Sequence, residues 1–151
     1  MVKDAPVDPR GPRFTAWVTA AVLAIVLLTG SWPLLAVQAL VFAVSAFVSL
    51  GLNPWSRAYR ILIAPRLKPT AEREDAAPLR FAQGVGFVFA LVGTVGYATG
   101  FTGVGVVATS FALVAALLNA AFAFCLGCEA YLLLRRFAPA IVRQQQQDQR
   151  I

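Results

Sequence analysis

Four long apolar runs, parted by breakers or charged stretches, organise the 151-residue chain. The first, residues 14–30, ends in Ser31-Trp32-Pro33, an uncharged turn with an aromatic suited to a membrane interface. The second, residues 34–52, carries no charge and would extend about 28 Å as a helix, close to the thickness of a hydrocarbon core. It stops at Asn53-Pro54. The third, residues 81–99, passes through Gly100, Gly103 and Gly105 into the fourth, residues 103–134. As one helix the fourth would measure about 48 Å, more than a bilayer holds, so it must protrude or break. Its excess falls between Cys125 and Leu134.

The pattern predicts an all-α polytopic membrane protein with four transmembrane helices arranged as two tandem hairpins. Charge sets the expected orientation, because Lys and Arg beside short loops stay in the cytoplasm. Lys3, Arg10 and Arg13 precede the first run. Arg57, Arg60, Arg66, Lys68, Arg73 and Arg80 lie in or at the end of the central segment, and Arg135, Arg136, Arg143 and Arg150 follow the fourth run; these are all 13 basic residues. Both termini and the loop 53–80 are therefore expected inside, in the plasma (inner) membrane. Residues 1–13 read as a cytoplasmic tail and residues 137–151, rich in glutamine, as a disordered one. A cleavable signal peptide fits the first run poorly, since its removal would leave three spans and break the charge pattern.

Composition agrees: 59% of residues are apolar, 13% are charged and mean hydropathy is +0.72. The net charge of +6 belongs to the loops of a membrane protein and implies no nucleic-acid partner. With no histidine and two cysteines, His-dependent triads, His-ligated haem and a Cys2His2 zinc site are excluded. No cofactor and no metal is expected.

In the central loop Trp55, Tyr59, Ile61, Leu62 and Ile63 mix with Arg57, Arg60 and Arg66 before Pro65 and Pro69 interrupt. This predicts an interfacial helix with snorkelling arginines, or else a patch for an acidic partner. Residues 70–78 read as a solvated linker. Arg13-Phe14 and Arg80-Phe81 open the first and third runs, and Thr29-Gly30 and Thr99-Gly100 close them, which points to an internal repeat. Small residues recur every fourth position: Ala82, Gly86, Ala90 and Thr94, then Ala108, Ala112, Ala116 and Ala120. Such ridges allow close helix packing within the bundle; a homodimer face is the other reading.

The one constellation with chemistry is Cys125-Leu126-Gly127-Cys128-Glu129. On a continuous helix, residues three apart share a face, which puts the thiols near disulfide distance if the turn relaxes at Gly127. Glu129, four residues after Cys125, could accept the thiol proton. The plainer reading treats the cysteines as small hydrophobes in an apolar helix, and Asn119 as an interhelical contact.

The chain resembles a family of small actinobacterial membrane proteins, domain of unknown function 4395. The residues that carry the likeness are residues 7–14 (VDPRGPRF), residues 80–83 (RFAQ) and residues 119–131 (NAAFAFCLGCEAY), the terminal C-x-G-C being the most specific. The resemblance implies a four-helix membrane protein, often encoded beside thioredoxin-like or thiosulfate-sulfurtransferase proteins. It carries no established catalytic residues. The expected function is thiol-disulfide redox or sulfur handling through Cys125 and Cys128, with Glu129 as proton acceptor, the lipid bilayer as surroundings and a soluble thioredoxin-like or rhodanese-like partner. The alternatives are a small transporter or channel component for a sulfur compound, and a non-catalytic docking subunit.

Overall fold

A computed structural model describes residues 10–68, 76–122 and 124–137. Among these the architecture is all-α: α1 (Arg10–Thr29), α2 (Trp32–Phe47), α3 (Pro54–Ala58), α4 (Ala76–Ala98), α5 (Thr102–Phe122) and α6 (Leu126–Phe137). The expected tails lie mostly outside the described residues, as do residues 70–75 of the expected linker.

Three helices are long and apolar enough to cross a membrane: Arg10–Thr29, Ala77–Ala98 and Thr102–Phe122. α1 and α4 start earlier than their apolar runs, so the end of the expected linker, Ala76 to Pro78, is helical. Pro12 and Pro78 explain this, because a proline in the first turn lacks only an N–H that has no helical partner there anyway. α2 is shorter than its run, with 16 residues instead of a span over 34–52. Side-chain hydrogen bonds redirect its end. Asn53 is buried, donates from Nδ2 to the Ser45 hydroxyl at 2.7 Å, and accepts at Oδ1 from the Trp55 and Ser56 N–H groups at 2.9 and 3.4 Å. It thereby ties the last turn of α2 to the start of α3, while Ser49 Oγ accepts from Gly51 N–H at 3.1 Å. Arg80, in α4, donates from Nε and Nη2 to the Ala46 carbonyl at 3.2 and 3.0 Å, a cation at a helix C-terminus.

From Pro54 to Arg66 the backbone stays helical, passing from α3 through a wide turn (Tyr59–Ile63) to a tight one (Ala64–Arg66). Tyr59 is buried against Phe14, ring centroids 5.8 Å apart, whereas Ile61, Leu62, Arg57 and Arg60 are exposed. One side of the segment packs on α1 through Tyr59, and its exposed side carries apolar and basic residues together.

The α1–α2 and α4–α5 turns close in the same way. Gly30 and Gly100 adopt φ of 65° and 88°, a left-handed conformation that suits glycine. Before each glycine a threonine donates to the carbonyl four residues back: Thr29 to Ile25 at 2.7 Å and Thr99 to Val95 at 2.6 Å. Packing then crosses between the pairs, α1 lying mainly on α5 and α2 on α4, with α4 also against α5. The core joins Leu23, Val26, Leu35 and Phe42 to Ala90 and Ala112. Of the predicted small-residue ridges, Ala90, Ala108, Ala112 and Ala120 are buried inside the molecule. The exterior is apolar, with Leu28, Phe47, Phe101, Phe111 and Phe122 among many exposed large side chains. Water is a poor medium for such a surface, and lipid is a compatible one.

Candidate functional site

The fourth apolar run is not one helix. α5 ends at Phe122 and α6 begins at Leu126. Between them the Phe124 N–H reaches back to the Leu118 carbonyl at 3.2 Å, closing the end of α5. Cys125 stands at the cap of α6: its carbonyl accepts from the Glu129 N–H at 3.0 Å, and its Sγ accepts from the Cys128 N–H at 3.2 Å. A sulfur here occupies the place usually taken by a serine, threonine or aspartate oxygen, facing the N–H groups at the positive end of the helix. The two cysteines thus meet across a helix cap and not along the side of a continuous helix. Both are thiols and half-buried. Glu129 is exposed in the first turn of α6, joined to Cys125 through the backbone.

Gly127 explains where α6 sits. A Cβ added there would lie 2.5 Å from Ala82 Cβ and 2.6 Å from Ala82 Cα, so only glycine lets α6 approach α4 this closely. The sequence suggests local relaxation of the turn as its purpose; the structure gives it a packing role. Tyr131, one turn on, meets Phe81 of α4 at a centroid distance of 5.7 Å, and the Arg135 guanidinium lies 5.9 Å from the Tyr131 ring centroid. Beyond this contact α6 is amphipathic, exposing Leu132, Leu133 and Leu134 next to Arg135 and Arg136.

Cys125 also borders a partly open cavity of about 710 Å³ toward the end of the bundle where α1 and α4 start and α5 finishes. Most of its wall is apolar, including Phe42, Phe89 and Phe111; the polar exceptions include Thr15, Asn53, Arg60, Gln83 and Asn119. The Thr15 and Ser56 hydroxyls are hydrogen-bonded at 3.3 Å, and Arg60 donates to the Gly51 carbonyl at 2.7 Å. Gln83 Oε1 is buried and accepts no hydrogen bond. Volume and lining match those of small-molecule sites, which are mainly apolar with a few polar groups.

Residue spacing alone missed this cavity. Its signal lay in Gln83 and Asn119, two amides inside otherwise apolar runs, of which only Asn119 attracts notice in the sequence, and then as a helix contact. Cys125 is brought to the cavity; Cys128 faces the cap and Glu129 the exterior. Among the described residues no group of three or more potential metal ligands comes together.

An all-α, membrane-compatible protein with a thiol pair, one member of which borders a partly open cavity, is the class these features define. Within it, the chain belongs to the family Domain of unknown function DUF4395, whose model matches residues 7–136. Comparison with curated proteins and with solved structures gives no match.

Proposed function

We propose that the protein is a plasma-membrane thiol protein of four spans, with both termini and the central segment in the cytoplasm, in which Cys125 and Cys128 cycle between dithiol and disulfide. The hydrogen bond from the Cys128 N–H to Cys125 Sγ carries this reading. A donor aimed at sulfur from a helix N-terminus favours the thiolate, the nucleophilic form. The partner is a soluble thioredoxin-like protein, or a rhodanese-like one if the pair carries sulfane sulfur.

In the disulfide reaction, Cys125 thiolate attacks one sulfur of the partner's disulfide. That S–S bond breaks, a mixed disulfide forms, and the other partner sulfur leaves as a thiolate. Cys128, having given up its proton, attacks Cys125 Sγ and displaces the first partner sulfur. The chain ends as a disulfide and the partner as a dithiol, two electrons and two protons having moved between them. Glu129 serves as proton acceptor, one helical turn from the cap. Orientation rests on the charge partition, and the apolar exterior supports the membrane setting.

The test is differential alkylation of the purified protein after dithiothreitol or diamide, read by mass. Two thiols lost with diamide and recovered with dithiothreitol are expected; labelling unchanged by either reagent removes the proposal. A Cys128→Ser variant should also retain its partner as a mixed disulfide on Cys125.

The cavity favours one second reading, a small transporter of a sulfur compound. Proteoliposome flux that persists in a Cys125→Ser, Cys128→Ser double variant would support transport over thiol chemistry.

A further inference from the structure

The fourth apolar run yields two unlike helices. α5 carries no charge on any side, whereas α6 divides into an apolar side and a polar one. Leu126, Ala130, Leu133 and Leu134 have the spacing of a single helix face, and all four are exposed. Cys128, Glu129, Arg135 and Arg136 lie on the other side, with Leu132 the one apolar residue among them. Between the two sides, Gly127 and Tyr131 pack on Ala82 and Phe81 of α4. At 12 residues α6 is about 18 Å long, too short to cross a hydrocarbon core of about 30 Å. It docks where the apolar run of α4 begins, directly after Arg80, which on the four-span reading is the edge of that core.

Charge selects the medium for this face. Every charged residue among the described ones lies at this end of the bundle, because residues 14–56 and 81–128 carry none. Arg57, Arg60, Arg66 and Lys68 are exposed near Ile61 and Leu62, as Arg135 and Arg136 are near Leu133 and Leu134. Glu129 is the one acid among the described residues, and the net charge of +6 keeps the same sign over the whole chain. An acidic protein would match the arginines. The leucines, however, continue the exposed apolar surface of Phe122 and Phe124 at the end of α5, so the lipid beside α5 is already in place to cover them.

We infer that α6 is a membrane-surface helix: its leucines enter the acyl region, and Arg135 and Arg136 bind anionic phospholipid headgroups. The exposed cations of residues 57–68 meet the same surface. The inference rests on the membrane setting proposed above and not on the thiol chemistry. It puts the Cys125–Cys128 cap at headgroup level, with Cys128 on the polar side, where a water-soluble partner arrives. Each basic side chain near an anionic surface strengthens such a contact about fivefold.

The experiment uses the full chain with Cys125→Ser and Cys128→Ser, since a serine oxygen can take over the cap. One nitroxide label at a time is attached at Leu133→Cys, Glu129→Cys or Val114→Cys, and the protein is placed in vesicles. Power saturation compares collisions with oxygen, which concentrates in lipid, and with a nickel chelate, which stays in water. With phosphatidylglycerol at roughly a third of the phosphatidylcholine vesicle, enough for an anionic surface, the Leu133 label should favour oxygen and the Glu129 label nickel. In phosphatidylcholine alone, or with Arg135→Gln and Arg136→Gln, the oxygen-to-nickel ratio at Leu133 should fall roughly fivefold. The Val114 label, exposed on α5, reports the membrane setting by itself. Nickel contact there would remove that setting and the inference with it. A Leu133 label open to nickel in both lipids, while the Val114 label meets oxygen, would overturn the inference alone and leave the face to a protein partner. A Leu133 ratio unmoved by lipid charge or by the arginine pair would overturn it too. The unaltered chain supplies a check free of substitutions: hydrogen exchange over residues 130–136 should slow when phosphatidylglycerol is present, and equal rates in the two lipids would count against the inference.

Discussion

Counting 70 residues on from α1 and α2 lands on α4 and α5 with the closing Thr-Gly of each turn in register, yet the equivalent side chains differ greatly in size. Leu23, Val26, Leu35 and Phe42 in the first pair stand where the second has Gly93, Gly96, Gly105 and Ala112. Large residues hold α1 and α2 apart, while glycines let α4 and α5 touch through their backbones. A Cβ on Gly96 would be only 2.7 Å from the Gly105 nitrogen. The two sets also fit each other: a Cβ on Gly93 would come within 2.8 Å of Leu35 Cδ2, and one on Gly86 within 3.0 Å of the Phe42 ring. One pair supplies knobs and the other the hollows that receive them. The cavity lies between the pairs, lined by α1 and the chain after α2 on one side and by α4, α5 and α6 on the other, and the thiols stand on the side of the second pair.

The sharpest way to break this comparison is to give the second pair a residue of the first. Gly96→Val should destabilise the protein by more than about 3 kcal/mol, since its side chain meets backbone that cannot turn aside. A melting temperature in detergent within a few degrees of the parent would show that α4 and α5 do not cross there. Gly103→Ala is the control, because a Cβ there meets nothing within 4 Å.

Next in size is Gly127→Ala, which should cost about 1–3 kcal/mol and loosen α6 from α4. Its signature is faster alkylation of Cys128 as the cap opens. Unchanged stability and unchanged labelling would detach the thiol pair from the second helix pair.

On the other side of the comparison, Asn53→Ala removes the acceptor of two N–H groups and the donor to Ser45, and should cost about 1–2 kcal/mol. Hydrogen exchange should show the loss confined to the end of α2 and to α3. A global loss of protection would mean that the two pairs unfold as one unit.

The smallest effect is expected from Glu129→Gln. It should slow Cys125 alkylation by about twofold to fivefold at neutral pH, the range that a charge near a helix end is worth, and Cys128 alkylation less. Faster Cys125 labelling would make Glu129 a repelling charge and not a proton acceptor.

The apolar runs made α1, α4 and α5 legible, because an uninterrupted run needs no tertiary information to be seen as a long helix. The early end of α2 was not, since Ser45 and Asn53 must meet across a turn before their hydrogen bond can redirect the chain. The break before α6 was hidden for a different reason. Residues 122–126 are all apolar, so hydropathy runs straight through them, and the docking of Gly127 on Ala82 is visible only once α4 is alongside. Cys125 and Cys128 were legible as a pair by spacing alone. Their relation through a helix cap was not, and neither was the cavity, whose wall draws on six separate stretches of chain.

At 16 residues α2 is about 24 Å long, against a hydrocarbon core of about 30 Å. On the four-span reading the protein carries a built-in hydrophobic mismatch on one side. Lipid beside α2 must thin, or headgroups and water must dip toward Ser49 and Asn53, at a cost of fractions of a kcal/mol for each ångström. Those two residues border the cavity, so the dimple in the leaflet would form at its rim. Bilayer thickness then acts on the protein through α2: thinner membranes should accept it readily, and thicker ones should tilt its helices.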